Sequence, residues 1–166
     1  MKKINLVVLI SSLVSIFVVT GCGGGGGSGG GTTPSPVTPT KAVVNLSTVG
    51  SPSAAPLIGV QATLHLPVGV TVKASVNAPQ TDTNVVVASG NAVPADLVFG
   101  VYSGTVNAYV AKAAGFASGE FATVNCDIAV GSSPSASSFS VSDLIVSDLV
   151  GGLITGLTPS ISISFQ

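Results

Sequence analysis

Leu57-Ile58-Gly59-Val60-Gln61-Ala62-Thr63-Leu64-His65-Leu66 places Ile58, Val60, Ala62, Leu64 and Leu66 on one register and mostly polar or small residues on the other. A period of two belongs to an extended chain whose successive side chains point to opposite faces, so the stretch predicts a half-buried β-strand facing a core. Pro67-Val68-Gly69 turns the chain into a second apolar run, Val70–Val76. The same alternation recurs in 104–112, where Val106, Ala108 and Val110 oppose Asn107 and Tyr109. It recurs again in Glu120–Val130, with Ala122, Val124, Cys126, Ile128 and Val130 on one face. The C-terminal Ser160-Ile161-Ser162-Ile163-Ser164-Phe165 is a strict serine/hydrophobe alternation, and shorter strand candidates cover 42–49, 84–88, 96–102 and 139–146.

Turn chemistry fills the gaps. Gly50-Ser51-Pro52, Ser89-Gly90-Asn91, Ser103-Gly104, Ala117-Ser118-Gly119 and Gly151-Gly152 punctuate the strands at short intervals. No stretch offers an uninterrupted amphipathic helix of three turns, and β-branched residues are frequent throughout. About eight or nine short strands with regular turns predict an all-β sandwich over 41–166.

The first forty residues are of another kind. Met1-Lys2-Lys3 is a short basic start, Leu6–Val19 is an apolar run, and Thr20-Gly21 supplies small residues before Cys22. These are the three parts of an export signal. Val19-Thr20-Gly21-Cys22 resembles the lipobox of bacterial lipoproteins, which implies removal of 1–21 and a covalent lipid on Cys22 that holds the mature chain to the bilayer. An uncleaved anchor is the competing reading, but the run is shorter than the roughly 20 residues a spanning helix prefers, and glycines follow instead of a basic flank. Residues 22–40 then form a tether: a glycine coil broken by Ser28, followed by a stiffer Thr/Pro stretch with Pro34, Pro36 and Pro39. As a coil, its eighteen residues after Cys22 reach about 25 Å. Gly23, where an Asp would retain many lipoproteins at the inner membrane, favours the outer membrane.

Composition narrows the function classes. The chain has 166 residues, 46% hydrophobic and 7% charged, with a net charge of −1. After the leader, Lys41, Lys73 and Lys112 stand against six carboxylates, which leaves −3, and there is no arginine anywhere. Nucleic-acid binding needs a basic face for phosphates, so that class is set aside. With Cys22 lipidated, Cys126 has no disulfide partner. Its place among Val124 and Ile128 makes it a core residue.

From Gly104 onward the order of features resembles the second half of cohesin domains. The strand 104–110 leads to a Gly115-Phe116 corner, and Ser118-Gly119-Glu120-Phe121-Ala122-Thr123-Val124 carries a G-x-hydrophobic-A-T-hydrophobic pattern. A small-residue loop at 131–137 and a closing strand at 160–165 follow. Upstream, 58–66 with 67–72 is similar to the early cohesin strand pair. The resemblance implies a nine-stranded jelly-roll sandwich, related to cellulose-binding modules, that binds a dockerin-like protein or a polysaccharide and is not an enzyme. Two positions depart from the pattern: Leu66-Pro67-Val68-Gly69 replaces the usual aromatic-Asp-Pro, and Cys126 stands where an aliphatic or aromatic residue is expected. No calcium loop of the dockerin type is present.

The side chains able to do chemistry are few. His65, the single histidine, lies on the polar register and has no further His or Cys to share a metal with, so no metal site or other cofactor is expected. No G-x-S-x-G elbow marks a nucleophile. Glu120 and Asp127, seven apart, fall on opposite faces of an unbroken strand. Asp143 and Asp148 sit in repeated Ser-Asp-Leu motifs, either as solvated turn residues or around a calcium ion. For ligand contact, Tyr102 and Tyr109 are the candidates, with Phe99 or Phe116 as further exposed rings. A polysaccharide platform generally uses several aligned rings, often Trp, which this chain lacks. The remaining alternative is a structural subunit of a surface assembly, since the Ser160–Phe165 strand is low in charge and lacks Pro, so an unpaired edge there could add to another chain.

Overall fold

The computed structural model describes residues 38–166. The leader, Cys22 and the tether up to Val37 lie outside the described residues. Nine strands run in chain order: β1 Lys41–Gly50, β2 Leu57–His65, β3 Val70–Thr71, β4 Val86–Ala88, β5 Leu97–Tyr102, β6 Thr105–Phe116, β7 Glu120–Ile128, β8 Ser140–Ser147 and β9 Leu157–Phe165. Two 3-10 turns, Gly90–Ala92 and Ala136–Ser138, complete the elements. The all-β sandwich predicted from the alternation is the fold observed.

The strands form two antiparallel sheets. The four-stranded sheet has the order β5-β6-β2-β8. The five-stranded sheet runs β3-β7-β1-β9, with β4 also paired to β7. Alternation then decides what lies between them. Val44 and Leu46 of β1, Ala62 and Leu64 of β2, Val106 and Ala108 of β6, and Val124 and Cys126 of β7 all face inward and are buried. Each Leu or Val removed from water in this layer contributes about 1.5–3 kcal/mol.

One irregularity changes a face. Leu46 pairs with Ala122, but Ser47 pairs with Glu120, so β7 carries an extra residue at this point. The bulge turns Phe121 inward beside Ala122, and both are fully buried. It also returns Glu120 to the outward register of Ser47, on the same face as Asp127 rather than the opposite one. Their partners Ser47 and Lys41 are six residues apart on β1, a separation of about 20 Å. That is well beyond the roughly 5–9.5 Å of a carboxylate pair acting on one glycosidic bond.

Two strand expectations end earlier than the alternation suggested. The run from Val70 forms ladder pairs only at Val70 and Thr71, and Val76 is exposed. Ala74 instead bridges Thr81 in a local turn, in which Ser75 N donates to Gln80 O and Asp82 N to Lys73 O. β7 ends at Ile128, and Val130 is wholly exposed in the turn that follows instead of joining the inner register.

Candidate binding face

The outward residues of the four-stranded sheet line up in cross-strand rows fixed by register. Leu97, Ala111, Gly59 and Ser147 form one row, and Phe99, Tyr109, Gln61 and Ile145 form the next. Val101, Asn107, Thr63 and Ser142 make the third, and Thr105, His65 and Ser140 the fourth. The first two rows are mainly apolar and enclose a groove of about 320 Å³. Gly59 forms part of its floor, where a Cβ would come within 2.8 Å of Ser147 Oγ. Leu97 at 53% and Ile145 at 46% stand exposed on opposite sides of the groove.

Phe99 and Tyr109 are the centre of this face. Their rings stack with centroids 4.5 Å apart and planes 8° from parallel. The pair arises from the β5–β6 hairpin, whose Ser103-Gly104 turn makes the two residues direct partners. Each ring covers one face of the other, so the pair stands as an aromatic ridge rather than as two rings side by side in a plane.

Tyr102 belongs elsewhere. It shares its register with Val98 and Gly100 and packs against the core, opposite Val106. Tyr102 and Tyr109 therefore lie on opposite faces of one sheet and are not brought together. Phe116, the other ring considered, is buried. Leu97, Ile145 and Gln61 join Tyr109 in their place. A sequence signal for Leu97 existed, because Leu97, Phe99 and Val101 are apolar on the register opposite Val98, Gly100 and Tyr102. A strand apolar on both registers has a second face to cover.

The other two rows are polar. Thr63 Oγ1 donates to Asn107 Oδ1 at 2.8 Å. The Ser142 hydroxyl donates to Asp143 Oδ2 at 2.7 Å, and the same oxygen lies 2.9 Å from His65 Nε2, whose N–H it accepts. Strand pairing thus brings His65 to the Ser142-Asp143 dipeptide, a meeting not visible in the chain order. The sequence of groups is His, Ser, Asp, with the serine proton directed to the carboxylate. An activated serine needs the reverse, with histidine accepting that proton and the carboxylate orienting the histidine.

Asp143 and Asp148 do not share a site. Asp143 sits at an irregularity in β8 with φ of 50°, where Gln61 pairs with Ile145 and Thr63 with Ser142. Asp148 closes the following turn, its Oδ1 accepting the N–H groups of Val150 at 3.0 Å and Gly152 at 2.7 Å. Such a side-chain-to-backbone turn satisfies the carboxylate locally. Among the described residues no three His, Cys, Asp or Glu side chains gather in one place.

Cys126 is 2% exposed, and burial, followed by the neighbouring Asp127 charge, pushes its thiol up to about 12. The thiolate is the reactive form, so this side chain behaves as an inert part of the core. On the other sheet a smaller groove of about 130 Å³ is lined by Lys41, Lys73, Asp82, Asn84, Val85, Asn125 and Asp127. Its charges are already paired, Lys41 with Asp127 at 3.5 Å and Lys73 with Asp82 at 3.1 Å.

Compared with known protein families, curated proteins and solved structures, the chain matches none.

Proposed function

We propose that the chain is a non-enzymatic lipoprotein of the cell envelope, held by a lipid on Cys22, whose cohesin-like sandwich binds a protein partner through the outer face of the four-stranded sheet. One observation carries the reading: Leu97, Phe99, Tyr109 and Ile145 form an apolar patch around a groove on a regular sheet, bordered by polar rows. Apolar centres with polar rims are the usual anatomy of a protein interface, and aromatic anchors carry much of its energy. A hydrogen-bonded sheet positions such anchors without ordering cost on binding.

The ring geometry favours a protein over a polysaccharide. Stacking on sugar needs ring faces that are open, whereas Phe99 and Tyr109 each cover one face of the other. Polysaccharide binding stays the second reading because Gln61, Asn107 and His65 lie beside Tyr109 on the same face and supply sugar-type hydrogen bonds.

The test pairs wild type with the double variant Leu97→Lys/Ile145→Lys in affinity capture from detergent-solubilised envelopes of the source cells, alongside a glycan array. A protein retained by wild type and lost with the variant supports the reading. Array binding lost with the same variant replaces the protein partner by a glycan, and equal behaviour of both proteins overturns the assignment of this face. Anchoring is tested separately by fractionation: Cys22→Ser is expected to release the folded domain from the membrane or block its maturation. Undiminished membrane retention overturns the lipoprotein reading.

A further inference from the structure

The edges of the two sheets are protected very unequally. β5 is covered, since Thr81 N donates to Gly100 O at 2.9 Å and Tyr102 N to Pro79 O at 2.8 Å. β8 carries a charge at its irregular point, Asp143, with φ of 50°. β3 and β4 are two and three residues long. Short, charged, kinked or covered edges are the ordinary defences against strand-to-strand association. β9 has none of them over 160–165: the segment is uncharged and lacks proline, and among the described residues its only strand partner is β1.

The register shows which backbone groups this edge presents. Lys41 N donates to Gln166 O at 3.0 Å and Gln166 N to Lys41 O at 2.9 Å, so this is a hydrogen-bonded pair. Alternation along an antiparallel ladder then directs the backbone groups of Ser164, Ser162 and Ser160 towards β1. The N–H and C=O groups of Phe165, Ile163 and Ile161 point away from it. Pro159 is the next outward residue and has no N–H to offer.

We propose that β9 is a self-association edge, with two copies of the chain pairing β9 to β9 in antiparallel register about a two-fold axis at Ile163. In this register Ile163 faces Ile163, and Ile161 of each copy faces Phe165 of the other. Every outward donor meets an outward acceptor, giving about six hydrogen bonds, and Pro159 stays outside the ladder. Shifting the centre by one residue to Ser162 would oppose Pro159 to Phe165 and leave the Phe165 carbonyl of each copy without a donor, whereas the Ile163-centred ladder leaves no outward group within it unpaired. A second copy is the occupant that charge favours. The segment is neutral, and Lys41, which pairs with Gln166 at its end, is held by Asp127 at 3.5 Å, so two copies meet along 160–165 with no like side-chain charges opposed. The result joins two five-stranded sheets edge to edge and leaves the outer face of both four-stranded sheets free. It does not rest on the partner-binding reading.

The experiment uses the full chain carrying Cys22→Ser in mild detergent, so that the buried Cys126 is the sole native thiol. Ser162 and Ser164 are exposed, and the proposed register makes Ser162 of one copy the direct, non-hydrogen-bonded neighbour of Ser164 of the other. Their Cα atoms would be about 4.5 Å apart, within disulfide range, whereas two Ser162 residues would be about 8 Å apart and outside it. Mixing Ser162→Cys with Ser164→Cys chains should therefore give at least tenfold more oxidised dimer than either variant alone. In parallel, Ser162→Lys/Ser164→Lys, with its β circular-dichroism signal retained, should sediment as monomer under conditions where the parent sediments as dimer. Equal cross-linking in the mixed and single samples, or a dimer that survives the lysines, overturns the proposal. Association through the apolar leader would cross-link without regard to register and so counts against it.

Discussion

On the five-stranded sheet the outward positions include Lys41, Asn45 and Ser47 on β1, Thr123, Asn125 and Asp127 on β7, and Ser160, Ser162 and Ser164 on β9, with Val43 and Val49 the apolar exceptions on β1. On the four-stranded sheet the corresponding positions include Leu97, Phe99, Val101, Tyr109 and Ile145. Five residues of the first set are already satisfied within the molecule. Thr123 Oγ1 donates to Asn45 Oδ1 at 3.1 Å, Asn125 Nδ2 donates to the Asn84 carbonyl at 2.8 Å, and Lys41 meets Asp127. Covering that face would exchange existing hydrogen bonds and hydration for new ones at little net gain. The second set gains from being covered, at about 25 cal/mol per Å² of apolar surface removed from water. Two faces built on one alternation thus differ in what contact is worth to them, and this is why the four-stranded sheet is the binding candidate.

The comparison breaks most completely if the layer between the sheets is removed. Phe121 is fully buried at the β7 bulge, and Phe121→Ala is expected to cost about 3–5 kcal/mol in urea unfolding, weakening both faces together. The next test separates the faces. Leu97→Lys/Ile145→Lys should leave stability within about 1 kcal/mol yet weaken partner binding by about 2 kcal/mol or more, as for interface anchors. The matched pair Asn45→Lys/Asn125→Lys, on the other sheet, should leave affinity unchanged in the same titration calorimetry. Loss of affinity with both pairs would erase the distinction between the faces.

A smaller effect sharpens the comparison from within the aromatic ridge. Tyr109→Leu keeps much of the apolar bulk but removes the stack on Phe99, and should lower stability by about 0.5–1.5 kcal/mol in denaturant unfolding. The smallest effect belongs to the polar sheet and reads as pH dependence. The backbone N–H of Asn84 at 3.2 Å, then the Lys73 ammonium at 3.1 Å, hold the Asp82 carboxyl below its ordinary value of 3.8. A depressed carboxylate contributes stability that is complete above 3.8 and is lost as pH falls through the lower folded-state value. Thermal melts of wild type and Asp82→Asn should therefore differ slightly at neutral pH and converge in strong acid. A gap that persists unchanged below pH 2 would place the effect outside the carboxylate's charge.

Much of the fold was legible because strand formation writes itself locally. The alternation at 60–66, 122–128 and 160–165 announces extended chain and names the inward side chains, whereas at the start of β2 a register shift buries Leu57 in place of the expected Ile58. The hairpin that stacks Phe99 on Tyr109 is also local, since the intervening Ser103-Gly104 turn sets its register. Legibility stopped where a single residue breaks the count. The bulge at Phe121 moves Glu120 to the face of Asp127, and nothing in Glu120-Phe121-Ala122 distinguishes a bulge from a continuous strand. It stopped again at Val70–Val76 and Val130, where apolar residues continue past the last strand partner.

The candidate site shows the same division. Strand parity in the sequence separates Tyr102 from Phe99, and the turn places Phe99 beside Tyr109. It does not reveal that Gln61 and Ile145 extend that row, or that His65 meets Ser142. Those neighbours come from β2 and β8, whose Gln61 and Ile145 lie 48 and 36 residues from Tyr109 along the chain. The chain by itself determined that it folds as strands, which residues face inward, and that the segment 160–165 is neutral and alternating. Tertiary structure alone decided which outward faces became neighbours and which edges were left unpaired. The physical reason is that side-chain direction follows from dihedral angles within one strand, whereas neighbourhood across strands depends on register. Register is set by burial of the whole inner layer at once, and a single inserted residue reverses every face beyond it.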